Sequence, residues 1–363
     1  MKTQFLIVGA GFAGCTVARR LAEASHSVVI IDKRNHIGGN CYDNYDDYGI
    51  FVQRYGPHIF HTNLKPVWEF LSRFTEWNGY IHRVLANVNG MNVCLPINLR
   101  TMADLYNYTF SPEDLKEYFE KKRISSEVIS NSKDVILSAV GEELYELFFK
   151  NYTKKQWGVF PEELDPQVTR RVPVRFSNDT RYFSDSYQGI PTYGFTRMFE
   201  TMLNHKNIKI LLNADFVEIQ DQFEYEHLIF SGPIDEFFDY KYGRLPYRSL
   251  SFAFRTHDVD KFQDAGVVNF PNSFDYTRIT EFKHFYFQKH KQTTICYEYP
   301  GEVGDPYYPM PTKEATEQYE LYRKESQKLN NVHFVGRLAQ YRYLNMDQVA
   351  EEGLMLAEKL LGL

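Results

Sequence analysis

The chain has 363 residues, 43% of them apolar and 24% charged, the composition of a folded globular protein with a sizeable core. At about 100–200 residues per domain there is room for two or three domains. A formal charge of −6 argues against a nucleic-acid partner, which needs a clustered basic surface, and no run of about 18 apolar residues is present to span a membrane.

Phe5-Leu6-Ile7-Val8 is a continuous apolar run, as expected of a strand buried on both faces. Gly9-Ala10-Gly11-Phe12-Ala13-Gly14 follows directly. A helix is predicted over 15–24, with Val17, Ala18 and Leu21 on one face, then a second buried strand over 27–31 that ends at Asp32. Strand, glycine turn, helix, strand and an acid about 20 residues on supply the context that a GxGxxG alone lacks. Gly9 permits the tight turn, Gly11 lets backbone approach a pyrophosphate, and Gly14 lets helix and strand pack closely. The helix N-terminus, at Phe12, offers free N–H groups and a positive dipole end to phosphates. Asp32 is placed to accept the ribose hydroxyls.

Lys33, Gly39 and Asn40 belong to KRNHIGGN (33–40), a second glycine-bearing turn that resembles the one near the cofactor in flavoprotein monooxygenases and amine oxidases. That resemblance selects FAD over NAD. Next comes Tyr55-Gly56-Pro57-His58-Ile59-Phe60-His61-Thr62. Its two histidines lack the third ligand or HExxH context of a metal site, and no metal is expected. They are read either as structural or as flavin-adjacent.

Residues 98–165 read as helical, with Ser111 as a cap and Pro112 at the first helical position, a second helix after Ser132-Lys133-Asp134 and a third over 141–150. Phe148 and Tyr152, four residues apart, share a helix face, with Phe149, Thr153 and Trp157 close by; such aromatic stripes are more often core. Arg171 and Arg175 lie in a Pro-interrupted, polar loop running from about 168 to Tyr182, suited to a lid over a diphosphate. Residues 166–200 and 238–319, rich in Tyr, Phe, Thr and Val, read as antiparallel strands. Residues 208–212, 215–218 and 228–230 read as further sheet. Val335-Gly336-Arg337-Leu338 and a helix starting near Met346 form a strand–Gly–helix unit. In the flavoprotein groups such a unit returns to the pyrophosphate and flavin. The cysteines Cys15, Cys41, Cys94 and Cys296 form no CxxC pair and fit a reducing cytoplasm, and residues 1–4 carry no leader pattern.

The expected architecture is α/β: a split Rossmann-like FAD domain (1–78, 201–237 and 320–363), a helical domain (98–165) and an antiparallel sheet domain (79–97, 166–200 and 238–319). Across nearly the whole chain, KRNHIGGN (33–40), YGPHIFHT (55–62), NYTKKQWG (151–158), RRVPVRF (170–176), YFSDSYQGIP (182–191), GPIDEFFDY (232–240), YTRI (276–279), GDPYYP (304–309) and GRLAQYRYLNMDQV (336–349) occur in the order of a known family. The chain resembles the prokaryotic UDP-galactopyranose mutases.

That resemblance implies ring contraction of UDP-galactopyranose to UDP-galactofuranose, by covalent catalysis through N5 of reduced FAD with no net redox change. It implies that Trp157 and Tyr152 hold the uracil and the diphosphate, that Thr153 also binds substrate, and that Phe148 and Phe149 form the apolar wall near the uridine. Arg171 and Arg278 would grip the phosphates, and Tyr182, Tyr308 and Tyr343 would contact them. His58 and His61 would lie beside the flavin, and Arg337 would serve the FAD pyrophosphate with Gly336 and Met346. NAD(P)H or a reductase as electron donor and a homodimer are the expected partners. Two positions depart from the family pattern: His82, where many members carry Asn near the sugar path, and Asn345, where Asp is common. His82 leaves tolerance for N-acetylated sugars open. The rival readings are a flavin oxidase or dehydrogenase, which needs a hydride donor instead of paired arginines, and a non-catalytic flavoprotein.

Overall fold

The computed structural model describes residues 1–124, 128–169 and 174–363. Five parallel strands form one sheet in the order Val332–Phe334, Glu224–Phe230, Lys2–Val8, Val28–Ile31, Ile208–Leu211. Leu6, Ile7, Ile30 and Ile31 are wholly buried, the environment that the unbroken apolar runs of a two-sided strand require. Helix Phe12–Glu23 covers one face and packs against Phe195–Leu203 and Met346–Leu361. Phe216 and its neighbours close the other face over Leu6, Val29, Ile31, Leu228 and Phe230. Strand order reverses between Lys2–Val8 and Glu224–Phe230, so a ligand crevice opens at their carboxyl ends.

A second sheet of seven strands runs Tyr308–Pro309, Tyr247–His257, Thr293–Gly301, Arg278–Glu281, Val267–Asn269, Val84–Val88, Met91–Leu95. It is antiparallel except where Val267–Asn269 lies parallel to Val84–Val88. Between the two sheets in sequence lie helices Leu99–Tyr106, Pro112–Lys122, Ser132–Leu144 and Lys150–Trp157. Ser111 caps the second of these in a reciprocal box with Asp114, with Pro112 at its start.

Several local expectations change. The helix read over 141–150 is set off from the one before it by a kink at Gly141, which sits at φ +80° and where a Cβ would lie 2.3 Å from the Lys122 carbonyl oxygen, but it is not regular. A π turn over Tyr145–Phe149 follows, so Phe148 and Tyr152 do not lie on one regular helix. Asp215 begins no strand; its carboxylate caps the short helix Phe216–Ile219 by accepting from the Val217 N–H at 3.0 Å. Over 166–200 the only strand among the described residues is Tyr187–Gly189, which pairs with Phe60–Thr62 and not with the large sheet, and helix Phe195–Leu203 begins within the range.

Candidate active site

A cavity of about 810 Å³ opens at the switch point of the parallel sheet. Gly9, Gly11, Phe12, Asp32, Lys33, Gly39, Asn40, His58, Gly336, Arg337 and Met346 all line it, bringing together segments from both ends of the chain. Gly14 does not line it. A Cβ there would lie 1.9 Å from the Gly9 carbonyl oxygen, so its task is helix–strand packing, as the motif leads one to expect. Helix Phe12–Glu23 starts at Gly11 with no side-chain cap and no acid in its first turn, leaving its N–H groups and dipole for an anion.

Asp32 is committed first to the turn itself. Its two oxygens accept from the Ala10 N–H at 2.8 Å and the Arg34 N–H at 2.9 Å, leaving a second lone pair on each for a ribose hydroxyl. Asn40 is likewise oriented, its Oδ1 accepting from Arg34 Nη1 at 2.9 Å. Asp215, Phe216, Val217 and Gln220 also line the cavity. Sequence reading missed them because a four-residue helix leaves no periodic trace.

Arg337 joins this cavity to an aromatic cluster. Its guanidinium carbon lies 5.2 Å from the centre of the Tyr308 ring and 5.3 Å from that of Tyr343. Those two rings are 5.4 Å apart, and Trp157 lies 6.0 Å and 5.8 Å from them. Trp157 is buried with Leu164 and Met310, so it has a packing role whatever else it does. Phe148 is also core, and Phe149 packs against the core from a half-buried position. Thr153 is buried.

Cross-strand register places Asn269, Arg278 and Glu298 in one row across three strands, hence on one face of the sheet. Arg278 donates from Nη2 to the Tyr152 hydroxyl at 2.9 Å, and its Nε stands 3.2 Å from Glu298 Oε1. That ion pair is close without alignment, since neither atom forms a hydrogen bond among the described residues. Burial raises the Glu298 pKa, opposed by Arg278; burial works against the Arg278 charge, but Glu298 and the surrounding tyrosines raise its pKa overall. Tyr152, Tyr182 and Tyr308 all lie close enough to Arg278 to contribute to that field. Asn269 Oδ1 and Gln156 Oε1 are buried without a hydrogen-bond partner among the described residues. Both were missed in the sequence, where an isolated amide carries no signal.

His82 is buried, with Tyr80 Oη 3.2 Å from its Nδ1 and the rings of Tyr182 and Phe183 each 5.5 Å away. Burial, with help from Arg278 and His61, lowers its pKa to about 3, so the ring is neutral at physiological pH. His58 lines the cavity. Its Nδ1 is 3.0 Å from the Gly56 carbonyl oxygen, and burial pulls its pKa down to about 4. His61 is set apart from it: the ring stacks on Phe183 with centres 3.6 Å apart, and Nδ1 lies 2.9 Å from Asp185 Oδ2. The two histidines therefore serve different surroundings.

Arg171 lies outside the described residues. The described part of its loop makes backbone hydrogen bonds to the segments beside it. The Arg175 N–H donates to the Ile97 carbonyl at 2.9 Å, the Leu99 N–H to Ser177 at 3.2 Å and the Tyr182 N–H to His82 at 2.8 Å.

The parallel sheet, glycine turn and uncapped helix define a Rossmann-type dinucleotide-binding protein, and residues 7–74 match a family model for NAD(P)-binding Rossmann-like domains. A second family model, described as UDP-galactopyranose mutase, matches residues 147–343. A probable UDP-galactopyranose mutase from Klebsiella pneumoniae is 42% identical over 98% of this chain and 94% of its own length. A dTDP-fucopyranose mutase from Escherichia coli is 39% identical over 97% of each. A crystal structure of reduced UDP-galactopyranose mutase matches the fold with a TM-score of 0.79 over 99% of this chain and 96% of that one, at 16% identity. The chain belongs to the UDP-galactopyranose mutase family, whose members are isomerases.

Proposed function

We propose that this protein interconverts UDP-galactopyranose and UDP-galactofuranose, with FAD in the dinucleotide cavity. The observation that carries the reading is the half-buried Arg278–Tyr152 contact beside the Tyr308–Tyr343–Trp157 cluster, which Arg337 links to that cavity. A cationic group walled by tyrosines suits a diphosphate that has to leave and return.

FAD is supported by the cavity wall, which includes both the second glycine turn at Gly39 and the returning Gly336–Met346 segment. The uncapped helix N-terminus suits its pyrophosphate. When bound and reduced, the flavin supplies the nucleophile for the anomeric carbon, so the chain needs none of its own. What remains for the protein is to hold and neutralise UDP as negative charge develops on it.

Arg278, kept cationic by Glu298 and oriented by Tyr152, takes one side of the diphosphate; Arg171 takes the other. Tyr182, Tyr308 and Tyr343 donate hydroxyls to its oxygens. Trp157, Thr153 and Phe149 border the uridine, with Phe148 behind them. The unpartnered acceptors of Gln156 and Asn269 take donors of the nucleoside. Neutral His82 and the Asp185-braced His61 border the sugar. An external electron donor, a homodimer and a cytoplasmic setting complete this reading.

The second reading is a dTDP-fucopyranose mutase, favoured by the E. coli relative at 39% identity. Competition between UDP-galactopyranose and dTDP-fucopyranose for the reduced enzyme decides between them. A kcat/KM at least tenfold higher for the uridine substrate supports the first, and the reverse ratio supports the second.

A further inference from the structure

The motif NYTKKQWG contains a lysine pair that reads as a solvated face, yet its two members part company. Lys154 is exposed and reaches over the Phe160 ring at 4.2 Å. Lys155 is half-buried and turns toward the sheet. Its Nζ donates to the carbonyl oxygens of Ser273 at 3.2 Å, Phe274 at 3.3 Å and Tyr276 at 3.1 Å, and also to that of Phe270. An ammonium has three protons, so four converging carbonyls share them. No carboxylate forms an ion pair with Lys155 among the described residues. Here the cation serves as a centre around which a loop folds.

That loop joins strand Val267–Asn269 to strand Arg278–Glu281. It turns at Phe274 with φ +63°, a left-handed conformation that a β-carbon disfavours and that converging donors can hold. Asn272 ties it to the same helical segment. Asn272 Nδ2 donates to the Leu147 carbonyl at 2.9 Å, and Asn151 Nδ2 donates to Asn272 Oδ1 at 3.0 Å. Asn269 ends the strand before the loop and Arg278 begins the strand after it. Lys155 thus stands one helical turn beyond Tyr152, the residue that meets Arg278.

We infer that Lys155 is a positioning residue: it sets the register between the helix bearing Tyr152 and Trp157 and the hairpin bearing Asn269 and Arg278. The inference rests on the nucleotide-sugar reading above. Misplacing a substrate-binding group by about 1 Å costs on the order of 100-fold, so a tie behind the site can govern affinity without touching the ligand.

The test uses FAD-loaded protein with Lys155→Met, which keeps the stem's length and removes the donors. UDP affinity and the KM for UDP-galactofuranose are expected to worsen by about tenfold, the size of a lost charge-assisted hydrogen bond, with FAD content unchanged. Tyr152→Phe combined with K155M is expected to cost little more than the worse single change, because both act through the placement of Arg278. A merely structural lysine would lower Tm and leave UDP affinity at the wild-type value, which overturns the inference; so do losses in K155M and Y152F that multiply in the double variant. Should K155M fold poorly, Asn272→Ala decides: weaker UDP binding supports the role and unchanged binding overturns it. Wild-type protein that fails to bind UDP overturns both readings, whereas wild-type binding with an unaffected K155M overturns only this one.

Discussion

Arg278 donates from Nη2 to the hydroxyl of Tyr152 at 2.9 Å, joining two residues 126 positions apart in the chain. The contact fixes the plane of the guanidinium, and a planar fork grips phosphate oxygens only when its plane is set. Arg278→Ala is expected to lower kcat by about 100–1,000-fold, the usual loss of one oriented donor at a developing anion. Arg278→Lys should recover little of it, because an ammonium lacks the fork. Steady-state kinetics with UDP-galactofuranose measure both, and near-normal turnover in R278A removes Arg278 from the site.

The same arginine holds a buried acid in check. Removing it strands the Glu298 carboxylate, and breaking a buried pair from one side costs roughly 3–5 kcal/mol. Burial already raises the Glu298 pKa in the folded state, and loss of Arg278 raises it further. A carboxyl raised above its unfolded value near 4.5 contributes most below that pH and loses ground as pH rises. R278A should therefore lose Tm relative to wild type between pH 5 and 8, and Glu298→Gln should restore part of the loss. A pH-independent deficit would show that Glu298 stays ionised for another reason.

What the sequence made legible follows from how local each signal is. The glycine turn, the strands around it and the capped helix at Ser111 are written within a dozen residues, and the structure has them in place. Asn269, Gln156 and Lys155 acquire meaning only when two distant segments meet, and no periodicity marks that meeting. The polar run after residue 173 reads as irregular backbone, and nothing near it in sequence reveals its hydrogen bonds to Ile97, Leu99 and His82. Likewise, the Tyr-, Phe-, Thr- and Val-rich stretch 166–200 reads as strand because composition says nothing about which backbone is free to pair.

Two glycines of the fingerprint should fail in different ways. At Gly11, φ is −88° and an added Cβ meets only Gly39 Cα, at 3.8 Å, so Gly11→Ala should fold. Its methyl would occupy the approach to the pyrophosphate, and the purified protein should be colourless. Gly14→Ala forces a Cβ to 1.9 Å from the Gly9 carbonyl oxygen and should cost the fold itself. Circular dichroism together with flavin absorbance separates these outcomes; a yellow G11A would place the pyrophosphate elsewhere.

Two histidines, His82 and His58, set an acid limit. His82 has a pKa near 3 and His58 near 4, both below the ordinary 6.5. Their neutral forms contribute stability that is present above pH 6.5 and lost as pH falls toward those values, up to about 1.4 kcal/mol per pH unit for each. Urea unfolding of His82→Gln should show a shallower decline from pH 6.5 to 4.5 than wild type. An identical slope would mean that His82 protonates at no cost in the folded state.

The central claim is that the protein rearranges a nucleotide sugar and needs reduced flavin to do so without consuming reducing equivalents. The direct measurement is chromatography of UDP-galactofuranose incubated with the dithionite-reduced and the air-oxidised holoenzyme under anaerobic conditions. Conversion to UDP-galactopyranose over many turnovers in the reduced sample alone, with the flavin still reduced at the end, is the expected result. Equal conversion by oxidised protein, or flavin oxidation in step with product, would contradict the account.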